Sequence, residues 1–163
     1  MKVIYLVLLL FLALTSIVFG QDDNYIFRNY TEKDGLCDNI IFSMVKDKSN
    51  ILWVGTQTGL SRFDGKNFYN FNQIQENGIY VSNTIASLCT DINGHLWGAT
   101  HYGIFKFNPG TGKFNVYFPF ESKKENFFRT ILSDSKGNVY VGVRGGIMKY
   151  NTDANKFERF LNF

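Results

Sequence analysis

Proline is nearly absent from this 163-residue chain, at two residues, and cysteine is as scarce, also at two. Two cysteines, Cys37 and Cys89, are too few to frame a small disulfide-built fold, even in an exported chain where a pair can form. Little proline beside 17 Phe, 9 Tyr and 15 Gly describes strands, tight turns and bulky core residues, and excludes a disordered chain. An excess of one charge is missing too. The formal net charge is +3 and no basic cluster stands out, which argues against a nucleic-acid partner. No segment of the chain beyond its start carries a helical period.

There is a single long apolar run. Val3 to Phe19 has no charge, follows Lys2 and ends at Gly20 ahead of Gln21-Asp22-Asp23. This layout predicts an exported chain, with a signal-peptide helix over residues 1–20 that is removed after Gly20. A run of this length also lies at the lower limit of the about 17 to 25 residues that span a bilayer, so an uncleaved anchor stays open. No cysteine follows closely enough for a lipoprotein.

Laid on itself, the rest of the sequence repeats. Asn39, Asn83 and Asn126 fall in one register, with spacings of 44 and 43. The same register aligns Ser43, Ser87 and Thr130; Asp47, Asp91 and Asp134; and Trp53, Trp97 and Tyr140. It continues through Gly55, Ala99 and Gly142 and through Gly59, Gly103 and Gly146. An aromatic pair ends each unit: Phe68 with Phe71, Phe114 with Tyr117, Phe157 with Phe160. A self-similar period of this length is the mark of repeat architectures.

Each unit reads as four short strands, in the first Ile40 to Lys46, Ile51 to Thr56, Leu60 to Phe63 and Phe68 to Asn72. The breaks are turn chemistry: Asp opens each first corner, and Asp64-Gly65 is a strong hairpin signal. The second strands, such as Leu52-Trp53-Val54-Gly55, are apolar at nearly every position, so both faces of the sheet must be covered. Stacking sheet on sheet does that, with Gly55, Ala99 and Gly142 expected to leave room for the aromatic ring of a neighbour. The predicted fold is therefore all-β: a partial β-propeller in residues 21–163, with blades at about 39–72, 83–118 and 126–161. Phe27 and Tyr30 match Phe68 and Phe71, so residues 25–31 read as one N-terminal closing strand. Three blades are fewer than the about four to eight of a closed ring, and the remaining blades are expected in a longer chain. In this register Cys89 takes the place of Val45 and Leu132 and reads as a small core residue first, with its disulfide state open.

The run Tyr30-Thr31-x-x-Asp34-Gly35-Leu36-x-x-Asn39-x-x-x-Ser43-Met44-x-x-Asp47, then Leu52-Trp53-Val54-Gly55-Thr56-x-x-Gly59-Leu60-x-Arg62-Phe63-Asp64-Gly65, resembles the two-component regulator propeller. The first repeat is the best match; the second departs at Trp97-Gly98-Ala99-Thr100 and the third at Val139-Tyr140-Val141-Gly142-Val143. The resemblance implies the N-terminal periplasmic part of a bacterial sensor histidine kinase, often a hybrid one. It also implies downstream sensor domains, a membrane-anchored and dimeric parent, and a poly- or oligosaccharide ligand. Any kinase activity would belong to other domains of such a parent.

Alternating strands put the inter-blade links and the turns between second and third strands on one face of the ring. Those turns differ between repeats, reading Gln57-Thr58, His101-Tyr102 and Arg144-Gly145, and variation on one face marks candidate ligand contacts. Arg144 offers a fork for a carboxylate or sulfate, and Tyr102 a face for a sugar ring. Asn39, Asn83 and Asn126 sit at the inner edge of that face and read first as structural caps. No catalytic set, cofactor motif or metal cage is legible: the link carboxylates Asp34, Asp38, Glu76 and Glu121 carry no motif, and His95 and His101 lack a third ligand. The leading reading is a sensor, not an enzyme. A non-signalling scaffold or adhesion propeller and, behind it, a propeller hydrolase or lyase stay open.

Overall fold

The computed structural model describes residues 26–122 and 124–162; the expected signal helix and Tyr25 lie outside them. Three four-stranded antiparallel sheets follow one another. Blade 1 holds β1 (Ile41–Lys46), β2 (Leu52–Thr56), β3 (Leu60–Phe63) and β4 (Phe68–Phe71). A small hairpin follows, β5 (Gln75–Glu76) and β6 (Ile79–Tyr80). Blade 2 holds β7 (Ile85–Thr90), β8 (Leu96–Thr100), β9 (Ile104–Asn108) and β10 (Lys113–Tyr117). Blade 3 holds β11 (Ile131–Ser133), β12 (Val139–Val143), β13 (Gly146–Asn151) and β14 (Lys156–Asn162). In each sheet the order is that of the chain, and the strand limits expected in the first repeat hold to within one residue. The repeat register is visible in the ladders: Trp53 pairs with Val45, Trp97 with Cys89 and Tyr140 with Leu132.

Burial explains the stacking. Trp53, Leu60 and Phe71 of blade 1 share one core with Ile85, Leu88, Phe105 and Phe107 of blade 2, while Trp97 and Ala99 share another with Ile131, Val141, Met148 and Phe157 of blade 3. The strand-2 aromatic of each blade thus meets the next blade, Trp53 on Phe107 at 5.3 Å and Trp97 on Tyr150 at 4.7 Å between ring centres. Among the described residues, the one ring that meets their equivalent in blade 3, Tyr140, is Phe160 of its own blade, at 5.3 Å, and Phe160 and Leu132 beside it are about half exposed. The first strands pack side by side along the axis, β1 against β7 and β7 against β11. The repeated serines staple them. Ser43 Oγ accepts from the Leu88 N–H at 2.9 Å, and Ser87 Oγ accepts from the Ile131 N–H at 3.2 Å and lies 3.3 Å from its carbonyl oxygen.

The repeated aspartate has two jobs. In each corner one carboxylate oxygen accepts backbone N–H groups two and four residues on, as an Asx turn does. The other oxygen accepts from the strand-2 aromatic: Trp53 Nε1 on Asp47 at 2.8 Å, Trp97 Nε1 on Asp91 at 2.9 Å, Tyr140 OH on Asp134 at 3.3 Å. A buried indole N–H needs such a partner, and the repeated aspartate supplies it. Burial works against the charge on Asp91, yet hydrogen bonds from Trp97 and His95 outweigh it and hold the carboxyl below its ordinary range.

Two expectations are corrected, and one element is new. Residues 26–31 form no strand, because the third strand of every described blade already has its own fourth strand to pair with. Tyr30 still packs on blade 1, against Phe63 and Phe68. Among the second-strand glycines, the one covered by an aromatic ring is Gly98, and the ring is Phe105 of its own blade: the two are cross-strand partners, and a Cβ on Gly98 would lie 2.1 Å from the ring. Gly55 makes room for Ile85 of the next blade instead, and Gly142 for Thr130 of its own. The β5–β6 hairpin was not expected, although its turn, Asn77-Gly78, has the positive φ at both residues that a two-residue hairpin favours. Cys37 and Cys89 are both free thiols.

Candidate functional site

The turns on the link face are built around a buried threonine. Thr56 Oγ1 donates to the Gly59 carbonyl at 2.8 Å and accepts from the Thr58 and Gly59 N–H groups. Thr100 Oγ1 donates to the Gly103 carbonyl, also at 2.8 Å, and accepts from the Tyr102 N–H. Each leaves two corner residues beyond the pin, Gln57-Thr58 and His101-Tyr102. Blade 3 has Val143 in that place, and Gly145, at φ 77°, turns the chain beside an exposed Arg144. The glycine closing each turn leaves space for the neighbouring chain: a Cβ on Gly59 would meet Cys37 Sγ at 2.7 Å, one on Gly103 a Phe118 ring carbon at 2.6 Å, and one on Gly146 the Leu161 carbonyl at 2.1 Å.

The expected contacts do not gather as a set. Thr58 Oγ1 is 3.2 Å from the Cys37 carbonyl and ties the first link to blade 1. Gln57 is held through its backbone, its N–H on the Ile40 carbonyl and its own carbonyl accepting from Thr84 Oγ1. The Tyr102 ring is half-buried and packs 4.8 Å from Phe118. His101 behaves differently. Its exposed ring stacks on Phe127 at 4.5 Å and lies 6.4 Å from Phe42, and the Arg129 guanidinium sits 5.3 Å from the Phe127 ring centre. All four residues are exposed, and they come from all three repeats. Among the described residues, Gln57, Thr58 and Arg144 make no ring contact or hydrogen bond with this row.

Phe42, Phe127 and Arg129 escaped the sequence reading. Phe42 is the extra residue of a β-bulge, where the ladder steps from Ile41 to Ser43; Ala86 is its counterpart between Ile85 and Ser87. Bulges re-aim a side chain at the rim of a sheet. Arg129 holds the same repeat position in blade 3, and Phe127 that of Ile40 and Thr84. These positions change in every repeat between an invariant Asn and a conserved-type Ser or Thr, which was the signal available.

Two of the three repeated asparagines are hydrogen-bonded into the links. Asn39 exchanges two hydrogen bonds with Glu32, at 3.0 and 3.1 Å. Asn126, almost fully buried, bonds both backbone groups of Phe120 and the Ser122 carbonyl. Each fastens a link to the blade that follows; Asn83 is exposed and makes no side-chain hydrogen bond among the described residues. Glu76 is not on the link face: it accepts from Asn115 Nδ2 at 2.6 Å and the Val116 N–H at 2.9 Å, so the small hairpin clips onto the outer strand β10. Cavities of about 360 Å³ beside β13 and β14, and about 330 Å³ between the corners of blades 1 and 2, lie away from His101. The His101 row is open surface.

Residues 35–58 match the family model of the two component regulator propeller. The chain carries a two-component regulator propeller repeat. That propeller repeat spans the Asp47–Trp53 pair, the Phe42 bulge and the Gln57-Thr58 corner. Over 74 residues, 45% of its length, the chain is 34% identical to histidine kinase P4 of Formosa agariphila, of which it spans 5%. Its three blades superpose on the extracellular domain of a hybrid two component system from B. thetaiotaomicron with a TM-score of 0.72 and 24% identity, over 83% of this chain and 20% of that one. For PorZ, a surface component of the type-IX secretion system of Porphyromonas gingivalis, the TM-score is 0.62 at 17% identity, over 83% of this chain and 21% of that one. Virginiamycin B lyase of Staphylococcus aureus follows at 0.58 and 10% identity, over 74% and 40%. At these identities the likeness to solved structures is one of fold.

Proposed function

We propose that this chain is the ligand-binding part of an extracytoplasmic sensor propeller, which takes an oligosaccharide on its link face. Occupancy is passed to a kinase elsewhere in a longer, membrane-anchored, dimeric protein. The observation that carries the reading is the exposed row Phe42–His101–Phe127, which lies where the inner strands meet the axis. Exposed aromatic residues elsewhere, such as Tyr69 and Phe160, pair with side chains of their own blade, whereas these three rings come together from three blades, and exposed aromatic surface suits the apolar side of a sugar ring. Binding is favoured over turnover by the link carboxylates. Asp34 closes a capping box with Thr31, Asp38 accepts from the Ile40 N–H, and Glu76 holds β10, so three of the four are committed to structure.

Isothermal titration of the full chain with a panel of oligosaccharides tests this. The expected result is saturable binding that Phe127→Ala and His101→Ala weaken at least tenfold while the thermal midpoint holds, with the sugar recovered intact. Failure of every saccharide to bind, or recovery of cleaved product, overturns it.

A further inference from the structure

Resting on that reading, we infer that the saccharide bound at the axial row is anionic and that Arg129 receives its carboxylate or sulfate. A guanidinium over an aromatic face is held by that face, while its five N–H donors lie in its own plane and stay available. The Arg129 guanidinium lies 5.3 Å from the centre of the Phe127 ring, and among the described residues no carboxylate or carbonyl takes its donors. Its fork is thus oriented but uncompensated, the arrangement that recognises a planar anion in two-pronged fashion. The rings supply the second half of the match. Phe127, His101 and Phe42 follow one another at 4.5 and 6.4 Å, a row that suits an oligomer over a single sugar. The row alone would serve a neutral glycan; the free fork at its end makes the difference.

The test titrates the full chain with a tetragalacturonate, with the same tetrasaccharide after reduction of its carboxyls to alcohols, and with a sulfated tetrasaccharide. At least one acidic oligomer is expected to bind tenfold or more tighter than the neutral one, more weakly as salt rises. The acidic oligomer that binds identifies the anion. Arg129→Gln should erase that preference with the thermal midpoint unchanged, and Arg129→Lys should restore only part of it, since a point charge replaces a fork. Should Arg129→Gln unfold, the acid-to-neutral ratio of the unaltered chain decides alone. Equal affinity for acidic and neutral oligomers, untouched by Arg129→Gln but lost in Phe127→Ala, overturns the anionic inference and leaves the saccharide reading standing. No binding of any of the three sinks both.

Discussion

Tyr30 stands on Phe63 as Phe71 stands on Phe107. The Tyr30 ring lies 5.0 Å from Phe63 and 5.6 Å from Phe68; Phe71 lies 5.8 Å from Phe107 and 5.5 Å from Phe114. Tyr117 repeats the contact on blade 3, at 5.5 Å from Tyr150 and 5.7 Å from Phe157. The chain ahead of blade 1 therefore occupies the seat of a preceding fourth strand, without the ladder. Hydrogen bonds to Ser61 Oγ and from Asn70 Nδ2 fasten Gly35 and Cys37 beside it.

Tyr30→Ala removes two edge-on ring contacts, each worth about 0.5–1.5 kcal/mol beyond area burial. We expect it to lower stability to urea by about 1–3 kcal/mol. Phe27→Ala, at a side chain 94% exposed, should change little. Equal effects at the two positions would remove Tyr30 from its seat.

Asp91 makes stability depend on acid. Its carboxyl is depressed in the folded chain, so its contribution is complete above the ordinary aspartate value of about 3.9 and is lost as pH falls through the lower folded value. Urea midpoints measured from about pH 6 down to 2 should fall steeply below 4, and less steeply in Asp91→Asn. At neutral pH, Asp91→Ala strands the Trp97 N–H in the blade 2–3 core and should cost about 1–3 kcal/mol.

Gly98→Ala pushes a methyl into Phe105, a ring with no exposed surface. Overpacking of this kind costs about 1–3 kcal/mol. Adding Phe105→Leu should recover part of the loss, so that the double variant is more stable than the sum of its parts predicts.

Cys89 should resist alkylation. Burial first, and then the charge of Asp91, push its thiol up to about 12, so almost no thiolate exists at pH 8 in the folded chain. Mass spectrometry after iodoacetamide should find Cys89 unmodified until urea unfolds the protein. Rapid labelling of the native chain would show that the blade 2–3 core is open.

The four strands of each blade, their corners and the repeat register were legible in the sequence. Each rests on interactions within a few residues: Asp at i capping the N–H groups two and four residues on, positive φ at Gly, alternation broken where both faces are covered. Comparison of the chain with itself then supplied the blades, because equivalent positions meet equivalent surroundings. Hidden were the second bond of each aspartate, to an aromatic six residues on, and the short β5–β6 clip, too brief to carry a period.

Sequence alone determined that this protein is a stack of β-meanders with an aromatic between each pair, since those demands are local or repeat along the chain. Only tertiary structure decided which side chains stand together at the axis. Phe42, His101 and Phe127 lie in three different repeats, and it is the angle between stacked sheets, together with one bulged residue, that brings their rings into a row.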